Sequence, residues 1–338
     1  MIERPVAVVR ARLLGAIRDF FSRERHLEVD TPNLATALIP EAHIPVFETT
    51  LIHPWESEEQ RYLIPSPEVH MKRLLARGFG SIYRLGPSFR NAEIRSRIHN
   101  PEFTMLEWYT VDADYHDSLG RTRRLLEQVG RTLWEAPGST VGSVAHPDTT
   151  APPPPPSWLG VEPEVLTVED ALSRFAGAPA GVFDREDGIR ETARRAGLRV
   201  SAGESDEDLF QRVLLSRIEP ALPTDRAVFL TDYPSFVPSL AKQHDERAVI
   251  SERWELYIDG MEVANCYTEE RDPTRLQAYL QSQAQALADS ESGPFAPPDD
   301  SLPAFSGAPA CSGVALGVDR LLMALIGSHD IQGVIFTG

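Results

Sequence analysis

The sequence predicts an α+β fold in which an antiparallel sheet is flanked by helices and interrupted by a proline-rich loop and a helical insertion. Three stretches carry that expectation. Residues 83–111, YRLGPSFRNAEIRSRIHNPEFTMLEWYTV, read as two strands joined by an arginine-bearing loop. WELYIDGMEVANCYTEE contains Asp259-Gly260 between strand patterns, a strong signal for a two-residue hairpin. CSGVALGVDRLLMALIG is a glycine-punctuated strand running into a helix that is apolar on every side and therefore buried.

The elements follow in chain order. Val6, Val9, Leu13, Ile17, Phe20 and Phe21 recur at three- and four-residue spacing, which predicts an amphipathic helix with Arg10, Arg12, Arg18 and Asp19 on its wet side. A short strand containing Leu27 and Val29 follows, ended by Pro32. Residues 61–77 predict a strand, a turn and a helix, with Ser66 as cap and Pro67 at the first helical position. Glu68 then lies in a first turn, where the helix dipole favours a carboxylate with or without a ligand.

In the second strand of 83–111, Phe103, Met105, Glu107, Tyr109 and Val111 share one face and Leu106 and Trp108 the other. Both faces are largely apolar, so the strand is expected to be central and covered on both sides. A carboxylate at Glu107 then needs a cation, either a structural arginine or one that belongs to a ligand. Phe103, Glu107 and Tyr109 in a row suit a ligand with a flat ring at one end and an amine at the other, with Arg90 facing an anion between them.

A helix is expected around 118–134. Residues 137–156, with five consecutive prolines at their end, read as an extended excursion, either a tolerated loop or a proline-recognition ligand. Residues 162–226 read as a mainly helical insertion, with Thr167/Asp170 and Ser205/Asp208 as capping pairs. If Asp259-Gly260 form the hairpin turn, Ile258 faces Met261 and Tyr257 faces Glu262, which puts Glu255 and Glu262 on one face. They are there either as charges on a wet surface or as ligands of a shared divalent cation. For Asn265 to join them, the strand needs a bulge between Glu262 and Asn265. Arg320 falls in the first turn of the last helix, where the dipole disfavours a cation, so a nearby anion or a pair with Asp319 or another acid is expected.

Lys plus Arg number 33 and Asp plus Glu 50, a net charge of −17. That field opposes general association with nucleic acid. The two cysteines, Cys266 and Cys311, have no His or Cys at metal-ligand spacing beside them. They are expected as reduced, buried thiols of a cytoplasmic protein. Neither a signal peptide nor a bilayer-spanning run is visible.

FRN followed by HNPEFTMLEWY resembles motif 2 of the class II aminoacyl-tRNA synthetases in their lysyl branch. Within it the closest likeness is to the short paralogues that ligate (R)-β-lysine to a lysine of elongation factor P. The helix, strand and Pro32 resemble motif 1, which implies a homodimer built through that region, and the stretch around Arg320 resembles motif 3. The chain begins at this element with no room for an anticodon-binding domain, so 1–338 is read as a single catalytic domain. The resemblance implies ATP and Mg²⁺ as cofactors. ATP would be met by Arg90, Glu93, His99, Asn100, Phe103, Glu255, Glu262 and Arg320, with the metal on Glu255 and Glu262. Glu68, Glu107, Tyr109, Asn265, Glu269 and Ala315 would meet (R)-β-lysine or lysine, and Arg90 and Arg320 would neutralise charge during adenylation. The family's FRNE is FRNA here, with Glu93 one place later and an extra residue before His99. Cys266 stands where glycine is usual. Ala315 matches the β-lysine ligases, where lysyl-tRNA synthetases have glycine. Elongation factor P is thus the expected acceptor; tRNA or another amine acceptor, and a non-catalytic nucleotide-binding module, are the competing readings.

Overall fold

A computed structural model of the chain describes residues 2–42, 44–55, 57–91, 96–135, 155–288 and 301–336. Glu93 and the proline-rich excursion up to residue 154 lie outside the described residues. Strands β1 (Leu27–Glu28), β5 (Ile82–Phe89), β6 (Glu102–Val111), β7 (Glu164–Thr167), β8 (Val228–Pro234), β9 (Ile250–Ile258), β10 (Met261–Thr268) and β11 (Cys311–Gly317) form one sheet in the order β1-β5-β6-β11-β10-β9-β8-β7. Its pairings are antiparallel except at the two edges, where β1 joins β5 and β7 joins β8 in parallel. Strands β2 (Leu34–Ala35), β3 (Phe47–Leu51) and β4 (Glu59–Leu63) make a smaller sheet in the order β2-β4-β3.

Strand β6 is central and its two faces divide as the alternation requires. Leu106 and Trp108 enter the main core with residues of α1 (Arg4–Arg23), α3 (Tyr115–Gly130) and α9 (Val318–Ile326), while Phe103, Met105, Glu107 and Tyr109 face the open side. Helix α2 (Glu68–Ala76) packs on that open side together with α8 (Ser301–Ser306), which follows α7 (Pro273–Ala288). Helices α4 (Val168–Ala176), α5 (Gly188–Arg195) and α6 (Asp206–Val213) share a second core with Val228, Leu230, Tyr233 and Tyr257. Thr167 and Ser205 cap α4 and α6 by accepting from the backbone N–H of Asp170 and Asp208.

Several local expectations are corrected. Arg10 is buried, not on the wet side of α1. Its guanidinium sits 2.5 Å from Asp319, 2.7 Å from the Thr104 hydroxyl and 3.1 Å from the Val334 carbonyl. Heptad-like spacing could not reveal this, because the partner acid lies more than three hundred residues away. The inserted segment is not helical from its start, since Leu166 and Thr167 belong to edge strand β7 and extend the main sheet. Helix α3 starts at Tyr115 behind an Asp114–Asp117 capping box and ends at Gly130, followed by a π-type turn over Arg131–Glu135. Pro67 occupies the cap position of α2; Ser66 still accepts the Glu68 N–H at 3.0 Å, from one residue further out.

Candidate active site

The hairpin β9–β10 turns at Asp259 and Gly260, both with positive φ (50° and 72°), as a type I′ turn requires. Ile258 faces Met261 and Tyr257 faces Glu262; the register then slips at Val263, so that Asn265 lies opposite Glu255. This bulge puts Glu255, Glu262 and Asn265 on one face, and buried Cys266 on the other, its sulfur 3.4 Å from the Ser312 hydroxyl. Cys266 is thus accommodated within the core.

Two adjoining cavities open on this face. The larger, about 320 Å³, is lined by Arg90, His99, Asn100, Phe103, Glu255, Glu262 and Arg320 among others. The Arg90 guanidinium lies 5.3 Å from the centre of the Phe103 ring. Arg320 donates to the Ile98 and Glu262 carbonyls at 3.3 and 2.8 Å, and stands 3.6 Å from the Glu262 carboxylate. Its acid is therefore Glu262; Asp319 is committed to Arg10 and the Thr104 N–H. His99 is 2.7 Å from the Ser96 hydroxyl, and the Asn100 amide donates to the Glu102 carbonyl at 2.5 Å. Glu255 accepts from Arg253 at 2.7 Å, Tyr233 at 2.6 Å and Tyr257 at 2.8 Å. A carboxylate offers about four lone-pair sites, so room for a cation remains. Desolvation in the cleft, helped by the like charge of Glu255, raises the Glu262 carboxyl above its usual range, and a cation between the two would oppose that shift.

The smaller cavity, about 120 Å³, is lined by Glu68, Glu107, Tyr109, Asn265, Glu269 and Ala315, with Glu41, Ser66 and Gly313. Arg90, Asn265 and Ala315 border both cavities. Glu107 accepts from Ser66 at 2.7 Å and Tyr109 at 2.9 Å. Arg84, its cross-strand neighbour, donates instead to Asn33 and the Pro87 carbonyl. Burial raises Glu107 to about 7, with the Glu68 carboxylate adding to it and the two hydrogen bonds opposing. Glu269, 4% exposed, is raised to about 8 by burial against the attraction of Lys72, and its Oε1 lacks a hydrogen-bond donor among the described residues. An ammonium ion in this cavity would satisfy both acids.

All the sequence-predicted site residues within the described chain therefore meet in one cleft. Four others that line or frame it carry almost no local signal. Lys72 lies between Glu68 and Glu269, Arg253 braces Glu255, Glu41 reaches the smaller cavity from the loop before β3, and Gly313 faces it from β11. A Cβ at Gly313 would stand 2.3 Å from Glu269 Oε1 and 2.6 Å from the Tyr109 ring, so only glycine fits. The i,i+4 spacing of Glu68 and Lys72 was the one available signal, and it is commonplace on helix surfaces.

Comparison with known proteins agrees with this geometry. A family model described as tRNA synthetases class II (D, K and N) matches residues 4–337. An elongation factor P–(R)-β-lysine ligase of Salmonella paratyphi B is 34% identical over 337 residues, covering 98% of this chain and 94% of the relative. Proteins of the same name from Klebsiella pneumoniae and Vibrio cholerae are each 35% identical, covering 98% and 96% of this chain and 94% and 92% of the relatives. With such matches along its length and a cleft in which ring, arginine and carboxylate groups converge, the chain belongs to the class II tRNA synthetase family and is an ATP-dependent amino-acid ligase.

Proposed function

We propose that the chain activates (R)-β-lysine, or lysine, with ATP and Mg²⁺ and passes the acyl group to a lysine side chain of elongation factor P. The observation that carries this reading is the junction of the two cavities at Arg90, Asn265 and Ala315. One cavity offers an aromatic ring, two arginines and paired carboxylates to a nucleotide. The other offers buried acids to an amine at a short distance from the junction. An amino acid anchored there by its side-chain ammonium on Glu107, Tyr109 and Glu269 presents its carboxylate toward Arg90. The carboxylate oxygen attacks the α-phosphorus and pyrophosphate departs; the acceptor amine then attacks the acyl carbon, loses a proton and displaces AMP. Arg90 and Arg320 neutralise charge that builds on the phosphate, so catalysis is mainly positioning and electrostatics. Glu255 and Glu262 would hold Mg²⁺, whose contribution is further charge neutralisation on the phosphates.

Ala315 sits opposite both Asn265 and Glu107 in the sheet register, so its methyl trims the pocket where the acyl end lies. That supports a β-amino acid over the α isomer, within the few kcal/mol one methyl supplies. The names of the relatives support elongation factor P as acceptor, and the net charge of −17 disfavours tRNA. The reading also includes a homodimer formed through α1 and the Pro32 region, and a cytoplasmic location. Among the described residues no helix is long and apolar enough to cross a membrane.

The test is ATP–pyrophosphate exchange with (R)-β-lysine, (S)-β-lysine and α-lysine, followed by intact-mass measurement of elongation factor P. Preferential exchange with (R)-β-lysine and a mass gain of one lysyl group on the factor are expected. Charging of tRNA with no adduct on the factor would replace the acceptor, and no exchange with any of the three would remove the reading.

A further inference from the structure

An ammonium group of the protein's own pairs with two of the acids that line the smaller cavity. Lys72, one turn after Glu68 on α2, is 2% exposed, and its Nζ stands 2.6 Å from Glu68 and 2.6 Å from Glu269. It also lies 4.3 Å from the centre of the Phe305 ring and 5.8 Å from that of Tyr267, which hold it by cation–π attraction. Burial works against its charge, but Glu269 and Glu68 outweigh it and keep the ammonium above the usual lysine range. Lys72 and Tyr267 both donate to Oε1 of Glu68, and Lys72 pairs with Oε2 of Glu269. One oxygen of each acid is thus engaged by the protein, and Glu269 Oε1 is left toward Gly313 and the cavity.

We propose that Lys72 is a positioning residue for the amino acid: it draws Glu68 and Glu269 together, engages one oxygen of each, and leaves the other pair to receive the two amines of a diamino acid. The inference rests on the reading that this pocket takes a diamino acid. The charge count explains why such a residue is needed. Four carboxylates, Glu41, Glu68, Glu107 and Glu269, line the cavity, and Arg90 stands at its mouth. A diamino acid brings two ammonium groups. With Arg90 facing the substrate carboxylate, four acids would meet only two cations deep in the pocket without Lys72 and meet three with it, and desolvation there favours taking up protons over keeping unbalanced charge. Protonated acids receive an ammonium poorly. The groups that face Lys72 are Glu68 from its own helix, Tyr267 and Glu269 from β10 and its end, and Phe305 from α8; Glu107, Glu41 and the Cys311 thiol also sense its charge.

The experiment is steady-state ATP–pyrophosphate exchange with (R)-β-lysine and α-lysine for the wild-type chain, Lys72→Met and Lys72→Arg, from pH 6 to pH 9. For Lys72→Met the KM for the amino acid should rise at least tenfold while the KM for ATP stays within twofold. The acid limb of kcat/KM should move to higher pH, and Lys72→Arg should recover part of both effects. An amino-acid KM within twofold of wild type with an unmoved acid limb overturns the proposal. If Lys72→Met does not fold, Lys72→Met with Glu68→Gln removes both charges of that pair and is compared with Glu68→Gln alone. Equal KM values and acid limbs in those two overturn the proposal, and a further rise with an upward shift supports it. Absence of exchange by the wild-type chain takes down the underlying reading and this one together. Wild-type exchange that Lys72→Met leaves unmoved takes down this one only.

Discussion

Glu107 shows how one side chain can be costly to the fold and useful to the reaction. It is 3% exposed and its pair of donors, Ser66 and Tyr109, carry no charge to balance it. Glu107→Gln keeps the shape and removes the charge. We expect the KM for the amino acid in pyrophosphate exchange to rise by roughly 30-fold, about 2 kcal/mol for a lost charge-assisted contact. The unfolding midpoint should hold or increase, because a desolvated carboxylate is gone. Proton linkage gives a second expectation. In the folded, unliganded chain burial holds the Glu107 and Glu269 carboxyls above the 4.5 of an unfolded carboxyl, up to about 7 and about 8. Between those limits the native state binds more protons than the unfolded one, so these acids lower stability as pH rises. An ammonium ligand reverses the preference by favouring their ionised forms. Its binding near pH 7 should release protons, and its affinity should increase from pH 6 to pH 8. Calorimetry in buffers of different ionisation enthalpy reads both, and proton uptake on binding would contradict the assignment.

At the scale of elements, the bulge in β10 and the strut between α1 and α9 do the positioning. Because strand side chains alternate, the one-residue slip at Val263 returns Asn265 to the face that carries Glu255 and Glu262. Inserting one alanine between Ala264 and Asn265 would move Asn265 opposite Trp254, toward the core, and Cys266 opposite Arg253, toward the cleft. Exchange activity is expected to fall by at least a hundredfold, with the far-ultraviolet circular dichroism still that of a folded sheet. The strut is Arg10 with Asp319 and Thr104, which ties the first helix to the start of β6 and to the helix that carries Arg320. Arg10→Met leaves Asp319, 2% exposed, without its cation. A loss of about 3–5 kcal/mol in urea unfolding is expected, together with weaker ATP binding as Arg320 loses its fixed base.

Across the whole molecule, the sheet separates a packed side, covered by α1, α3 and α9, from an open side that carries both cavities. Leu27 and Leu34 remain 51% and 43% exposed near Pro32, where the homodimer is proposed. Sedimentation should give a dimer, and Leu27→Glu should shift it toward monomer at micromolar concentration; a monomer throughout would remove that part of the reading. Much of this was legible along the chain. Period-two alternation in 103–111 placed Glu107 and Tyr109 on one face, and the Asp259-Gly260 turn fixed the hairpin register and the need for a bulge, because backbone geometry and local periodicity are properties of adjacent residues. The resemblance in FRN, HNPEFTMLEWY and the stretch around Arg320 named the residues that gather in the cleft. What the sequence could not reveal were interactions with no local signature. The periodicity of Arg10 is indistinguishable from that of a solvated arginine until Asp319 is brought to it. Nothing local distinguishes Lys72 from a solvated helix-surface lysine; only the fold closes Glu269 and Phe305 over it. Gly313 looked like strand punctuation until Tyr109 and Glu269 took the space a Cβ needs. The sequence by itself determined the elements, their faces and the family, since these rest on spacing and motif. Only the tertiary structure decided which charges compensate which, because burial and partners distant along the chain set the energy of a charge, and neither exists before the sheet assembles.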